Sequence, residues 1–276
     1  MKPYHKVYFE ITNCCNRSCA FCPGTRRKVE FVAPDFFAGL APQLAQLTDC
    51  VYMHVLGEPL LHPELPELLA IARNHALPVK ITTNGDLIAE RGASLIEHRV
   101  TQVNFSLHER AASHEDCEAI FDFVRRAMRD APGMYLHFRL WNNAEAGEAA
   151  FNRQLLELVR RHFGEFKLPA DRASSRIAGR LYLHFDRRFR WPGPDEPVMP
   201  DSRCLGLLDQ FAILVDGTVT ICCLDAEGRA KLGNVRETGL AAILDSPAAH
   251  AIRDGFRRRT AVAELCRHCS YRTRFK

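Results

Sequence analysis

Over the first 170 residues, short β-rich runs alternate with amphipathic helical runs, and this alternation constrains the fold more than any other feature. The strand-like runs fall at 6–12, 51–56, 79–83, 101–107 and 134–141, and the helical runs near 35–47, 64–75, 87–98, 115–129 and 148–162. Strand–helix–strand units of this length build a parallel sheet through right-handed crossovers. Five or six of them suit an open or partial (β/α) barrel. Parallel strands covered by helices normally read as continuous apolar runs. Here each one alternates. Val7, Phe9 and Ile11 oppose Tyr8, Glu10 and Thr12; Val103, Phe105 and Leu107 oppose Gln102, Asn104, Ser106 and His108; Leu136, Phe138 and Leu140 oppose His137, Arg139 and Trp141. With the apolar faces on the helices, the polar faces converge inside the barrel, where buried polar groups need partners. A polar ligand with water meets that need better than an ordinary sheet with one wet face.

Between 169 and 204 the pattern loosens, with Pro and Arg enriched and one further alternating run at 181–185. A hairpin follows, 210–215 and 218–223 joined by Asp216-Gly217, a strong turn pair. A helix near 240–256 and a closing Cys-x-x-Cys complete the chain. The expected architecture is α/β: residues 1–199 as a partial (β/α)6-type barrel, and residues 200–276 as a small cysteine-rich module.

Composition narrows the function. A net charge of +4 gives no case for nucleic acid as a partner. The charge is uneven, with eight Lys/Arg against two acids from Arg253 to Lys276. That stretch reads equally as a solvated face or as a contact to something anionic. No apolar leader and no 18-residue apolar run is visible, so the expectation is a cytoplasmic chain with no membrane partner. The cytosol keeps thiols reduced. Eleven clustered cysteines therefore point to metal or cluster ligation.

Cys15, Cys19 and Cys22 form a C-x3-C-x2-C triplet leaving the first strand. Three thiolates can hold three irons of a cubane and leave the fourth open for chemistry. A rival register, Cys14, Cys19 and Cys22 with Cys50, imitates a plant-type [2Fe–2S] spacing. The βαβ pattern and the place of Cys50 at the head of a strand oppose it, and Cys14, Cys50 and Cys117 read as ordinary core or surface thiols. Cys204, Cys222, Cys266 and Cys269 are four further candidate ligands. Spacing alone leaves a four-thiolate zinc site and a [4Fe–4S] cluster both open.

The triplet, Gly57-Glu58-Pro59 after the second strand and Thr82-Thr83-Asn84-Gly85 at the third resemble the radical S-adenosylmethionine superfamily. The resemblance implies a [4Fe–4S] cluster on Cys15, Cys19 and Cys22, with S-adenosylmethionine chelating its open iron and cleaved to a 5′-deoxyadenosyl radical. It implies cofactor contacts from Phe21, Gly57, Glu58, Pro59, Thr82, Asn84, Ser106 and Arg139, and an electron donor such as flavodoxin or ferredoxin. Cys204, Gly217-x4-Cys222 and the terminal pair resemble a SPASM extension in its shortened, twitch form. The layout is similar to that of 2-deoxy-scyllo-inosamine dehydrogenases and, more distantly, of molybdenum-cofactor cyclases. That likeness implies a second [4Fe–4S] cluster on Cys204, Cys222, Cys266 and Cys269, with Arg253, Arg257–Arg259 and Arg267 offsetting its negative charge. Cys223 reads as a bystander, or as the replacement for Cys222 if the hairpin register slips.

A fully ligated second cluster suits electron transfer, so the expected reaction is oxidation of a small polar substrate. His137, Arg139, Tyr182 and His184 are the candidates by position for taking the proton. Two other readings stand beside it. A peptide maturase forming thioethers or epimerising residues is expected to carry a recognition domain and a longer cysteine-rich extension, which do not fit in 276 residues, though a separate partner could supply recognition. A non-catalytic iron–sulfur carrier would have no use for the Gly-Glu-Pro and Thr-Asn-Gly motifs.

Overall fold

The computed structural model describes residues 2–109, 114–142, 148–168, 170 and 173–275. In chain order its elements are β1 (Tyr4–Phe9), α1 (Pro34–Leu47), β2 (Thr48–Tyr52), α2 (Leu65–Asn74), β3 (Val79–Thr83), α3 (Ile88–Arg91), α4 (Ala93–Glu97), β4 (Gln102–Ser106), α5 (His114–Asp130), β5 (Tyr135–Leu140) and α6 (Glu148–Phe163). Then follow β6 (Ser174–Ala178), β7 (Leu181–Phe185), β8 (Gln210–Ile213), β9 (Thr218–Thr220), β10 (Lys231–Asn234), α7 (Leu240–Leu244), α8 (Pro247–Arg257) and α9 (Glu264–Arg267). They fall into two units.

The first unit holds Met1–Gly57, Asn74–Pro78 and Phe189–Lys276. Its strands run in the order β10-β9-β8-β1-β2. β1 is parallel to β2 on one side and to β8 on the other, so Val7 stands between Val51 and Phe211. β9 and β10 continue the sheet antiparallel. Gly217 makes the tight turn between β8 and β9 at φ +92°, where a Cβ would meet Asn234 Oδ1 at 2.7 Å. The inner faces of β1 and β8 are closed by aromatic rings: Phe9 lies 5.0 Å from Phe37, and Tyr4 meets Phe211 edge-on at 4.8 Å.

The second unit holds Glu58–Arg73 and Val79–Arg188, with strand order β3-β4-β5-β7-β6. The first four are parallel, and β6 closes the edge antiparallel to β7. The apolar face expected from alternation is the core: Val103, Phe105, Leu107, Phe138 and Leu140 are fully buried. Phe105, Phe121, Phe138 and Phe163 form a continuous ring cluster beneath α5 and α6.

Several elements differ from expectation. The run at 87–98 is two short helices divided at Gly92, a poor helix former. The run at 240–256 divides before Pro247, whose missing N–H and ring cannot continue α7. Ser246 then caps α8, its Oγ accepting from Ala249 N at 3.2 Å. Finally, β6 and β10 form within polar stretches that carry no alternation of their own.

Candidate active site

The cysteine loop leaves β1 through a closed neck. Thr12 Oγ1 donates to Glu30 O at 2.8 Å, Asn13 Nδ2 donates to Lys28 O at 2.8 Å, and Glu30 N donates to Asn13 Oδ1 at 2.9 Å. Between these ties the chain carries Cys15, Cys19 and Cys22 without regular structure. Cys15 and Cys22 are exposed, Cys19 is half-buried, and none is in a disulfide. A turn with Cys22 N donating to Cys19 O at 3.0 Å brings the last two together. Three accessible, reduced thiols on one short tethered loop are a donor set suited to an iron–sulfur cluster with an open iron.

Glu10 fixes this loop from below. Sequence alternation placed it on the polar face of β1, but the side chain is fully buried. Its Oε1 accepts from Arg27 Nη2 at 2.8 Å and from Leu56 N at 3.2 Å, and its Oε2 accepts from Val215 N at 3.0 Å. One carboxylate thus ties the far end of the cysteine loop, the segment after β2 and the turn after β8. Burial raises its pKa, while Arg27 and the two amides oppose that shift. Gly57 packs on the same loop at φ +77°, where a Cβ would lie 2.4 Å from Thr12 O. Only glycine fits there.

Glu58 is 2 % exposed. Its carboxylate accepts from Leu60 N at 3.0 Å, Thr83 Oγ1 at 2.7 Å and Asn84 N at 2.7 Å. It therefore sets the end of β3, holding Asn84 where the strand gives way to the loop, and Pro59 opens the 3-10 turn Pro59–Leu61 beside it. Burial pushes the Glu58 carboxyl up, against those three donors. Phe21 packs edge-on against Phe189 at 5.0 Å, and its carbonyl accepts from Trp191 Nε1 at 3.0 Å.

On the polar face of the second unit the strand register arranges side chains in rows. Thr82, Asn104, His137 and Tyr182 are one row, and Ser106, Arg139 and His184 are the next towards the C-terminal edge. Asn104 is fully buried, donating to Ile81 O at 3.0 Å and Thr82 Oγ1 at 3.2 Å. Arg139 lies over the Trp141 ring at 5.4 Å, and His184 Nδ1 meets Ser174 Oγ at 2.7 Å. His137 stacks on Tyr182 at 5.3 Å. Those two, with Lys80, Gln102, Tyr135 and Ser174, line a cleft of about 380 Å³ at the N-terminal edge. Burial, then the charge of Arg139, lowers His137 to about 4 and lowers His184 as well, so both imidazoles are neutral near pH 7.

The second cysteine set is deeper. Cys204, Cys266 and Cys269 are buried and Cys222 is half-buried, all as free thiols. Burial pushes Cys204 up to about 11 and raises Cys222, Cys266 and Cys269. Each neighbouring sulfur adds to the effect: Cys266 feels Cys204 and Cys269, and Cys222 feels Cys204 and Cys266. Amides point the other way. Gly206 N donates to Cys204 Sγ at 3.4 Å, and backbone N–H groups of Leu224 and Tyr271 favour thiolates at Cys222 and Cys269. Amides aimed at sulfur favour anionic sulfur. Among the described residues no group of three or more His, Cys, Asp or Glu side chains is drawn tightly enough around one point for a lone metal ion. The fit to a cluster rests on this donor set of four grouped thiols with amide support. Buried Asp225 shapes the turn after Cys222, accepting from Thr220 Oγ1 at 2.7 Å and from Arg229 N and Ala230 N at 2.8 Å. Within the first unit, chain neighbours of both cysteine sets line one cavity of about 180 Å³: Pro23 and Arg26 after Cys22, Leu224 two residues after Cys222, and Leu265 before Cys266, together with Trp191.

The basic tail is placed differently from expectation. Arg257 and Arg267 form exposed pairs with Asp254 and Glu264, Arg258 and Arg259 are exposed, and Arg253 reaches Tyr4 Oη and Leu244 O. The arginine whose charge reaches Cys204, Cys266 and Cys269 is the buried Arg272. Sequence reasoning passed over it because a basic residue in a basic tail carries no sign of burial.

The radical SAM superfamily model matches residues 9–133, and an iron-sulfur cluster-binding domain model, SPASM, matches residues 204–270. The chain thus carries a radical SAM domain at residues 9–133 and a SPASM domain at residues 204–270. The two domains imply a [4Fe–4S] cluster and S-adenosylmethionine for the first and auxiliary iron–sulfur ligation for the second. A GTP 3′,8-cyclase of Chlorobaculum tepidum is 33% identical over 114 residues, 37% of this chain and 32% of the cyclase. An S-adenosyl-L-methionine-dependent 2-deoxy-scyllo-inosamine dehydrogenase of Niallia circulans is 26% identical over 137 residues, 47% of this chain and 54% of the dehydrogenase. The matched segments thus span about a third to a half of these relatives. The crystal structure of BtrN in complex with AdoMet and 2-DOIA covers 98% of this chain and 94% of its own, at TM-score 0.65 and 17% identity. That likeness shows the fold class, a mixed α/β architecture of sheet and helices. No helix among the described residues is long and apolar enough to cross a membrane.

Proposed function

We propose that the chain is a radical S-adenosylmethionine oxidoreductase that removes two electrons from a small polar substrate. What supports this reading is one cavity of the first unit lined by chain neighbours of both cysteine sets, Pro23 after Cys22 and Leu265 before Cys266. When bound, the cofactors supply a hydrogen-abstracting 5′-deoxyadenosyl radical at the first set and an acceptor for the remaining electron at the second.

The residues divide the work along the chain. Residues 1–199 carry the S-adenosylmethionine chemistry and residues 200–276 the auxiliary cluster. Cys15, Cys19 and Cys22 hold the first cluster on the loop that Glu10 and Gly57 brace. Glu58 presents the end of β3, with Thr82 and Asn84, to the methionine end of the cofactor. Phe21 gives the adenine an apolar neighbour, and Ser106 and Arg139 meet its ribose and carboxylate. Cys204, Cys222, Cys266 and Cys269 would hold the second cluster, and their four thiolates would leave no open iron for substrate, so the group would supply an electron acceptor. The balance of the oxidation requires one proton to leave the substrate. His184 takes it: its imidazole is neutral, and it shares the C-terminal row with Ser106 and Arg139, whereas His137 and Tyr182 open onto the N-terminal cleft. Flavodoxin or ferredoxin supplies the initiating electron in a cytoplasmic setting.

The test is an anaerobic assay of reconstituted protein with S-adenosylmethionine against aminocyclitols, aminosugars, nucleosides and peptides. The expected result is 5′-deoxyadenosine and a two-electron-oxidised small-molecule product in equal amounts, with His184→Gln slowing turnover about 10²-fold or more. A redox-neutral product, or a thioether-linked or epimerised peptide, would overturn the proposal.

A further inference from the structure

Arg272 is 1 % exposed and heads the fully buried side chains in size. It stands three residues after Cys269, on the single 3-10 turn Ser270–Arg274 that Cys269 opens. Its Nη1 donates to Ser202 O and Ser202 Oγ, both at 3.2 Å, and its Nη2 to Pro200 O at 3.4 Å. The guanidinium thus joins the segment leading into Cys204 to the turn leaving Cys269. Its Nε has no partner, and among the described residues no carboxylate pairs with it. The other buried charge of the module, Asp225, is already held by Thr220, Arg229 and Ala230.

A buried guanidinium held by neutral oxygens alone is strongly disfavoured unless an opposite charge lies near. Carbonyl oxygens orient it without neutralising it. The chain it lies against flanks the second cysteine set: Ser202 stands two residues before Cys204, and Arg272 N donates to Cys269 O at 3.3 Å. Arginine is also the residue suited to such a place, since it stays charged when buried and its planar fork is fixed by few bonds.

We propose that Arg272 is the built-in counter-charge of the second cysteine site, balancing the negative charge of a four-thiolate iron–sulfur cluster and favouring its reduced form. This rests on the cluster reading of Cys204, Cys222, Cys266 and Cys269. It makes Arg272 a positioning and tuning residue for electron acceptance: with the positive charge in place, the electron left on the substrate has a more favourable acceptor.

The test uses the full chain with Cys15→Ala, Cys19→Ala and Cys22→Ala as parent, so that only the second site takes up iron. Arg272→Lys and Arg272→Gln are made in that parent, reconstituted anaerobically with iron and sulfide, and titrated electrochemically with the reduced form read by electron paramagnetic resonance. The parent is expected to hold about four irons. At a fixed potential, Arg272→Gln is expected to lower the reduced-to-oxidised ratio about tenfold, a downward shift of about 59 mV for one electron. Arg272→Lys keeps the charge and should stay within about threefold of the parent. If the Gln variant fails to retain iron, retention by Lys gives the same answer. A Gln variant with the parent's ratio, or Lys and Gln variants equally impaired, overturns the counter-charge role and leaves a structural clamp. A parent that takes up zinc and no iron removes the cluster reading itself, and this proposal with it.

Discussion

Glu10 is the residue on which most of the local order around the cysteine loop converges. Its carboxylate meets Arg27, Leu56 N and Val215 N, three points far apart in sequence. Removing its charge leaves Arg27 largely buried with two nitrogens, Nε and Nη1, already lacking partners. Glu10→Gln should therefore destabilise the metal-free protein by about 3–5 kcal/mol, read from chemical unfolding. It should also lower iron retention at the first cysteine set. Histidines give a second expectation at this scale. Burial lowers both His108 and His137 to about 4 from the ordinary 6.5. Below 6.5 the unfolded chain binds protons that the folded chain refuses, so the contribution is present above pH 6.5 and is lost as pH falls through about 4. The thermal midpoint of the metal-free protein should drop across that window, and His137→Gln should make the drop shallower. A midpoint flat from pH 7 to 4.5 would contradict the burial of these rings. Cys204 acts at the other end. Its folded value of about 11 lies above the ordinary 9, so the metal-free protein loses stability as pH rises from 9 through 11.

At the scale of elements, the strands were legible because period-two alternation survives in the amino-acid order. The runs at 79–83 and 181–185 coincide with β3 and β7, and the apolar members named for β4 and β5 are the core. Glu10 shows the limit of the same rule. Alternation gives the face of a strand, while the partners that draw a charged side chain out of water come from residues 17 to 205 positions away. Edge strands β6 and β10 were illegible for a related reason, since pairing along one edge sets them without an apolar face to mark them. Helix ends depend on single residues. The Ser246 cap and Pro247 divide one amphipathic run into α7 and α8. Ser246→Ala should cost about 1 kcal/mol in unfolding free energy, and Ser246→Asp should restore it. Equal stability of the alanine variant would mean that α8 is held by packing alone.

For the molecule as a whole, seven of eleven cysteines fall into a set of three and a set of four. Their chain positions were legible, but their different surroundings were not. The first set lies on an exposed, tethered loop, while three of the second four are buried, with an amide on Cys204 and the buried Arg272 tied to Ser202 and Pro200 just before it. Burial and counter-charge are properties of packing, so no spacing rule foretells them. The proposed oxidation depends on two separate cubane clusters in one chain. Iron and sulfide content with Mössbauer spectra, on the anaerobically reconstituted wild type and the Cys15/Cys19/Cys22→Ala variant, tests this most directly. About eight irons per chain as two cubanes are expected, falling to about four in the variant. About four irons in the wild type, none in the variant, and zinc in both would contradict it, leaving the second set structural and the oxidation without its electron acceptor.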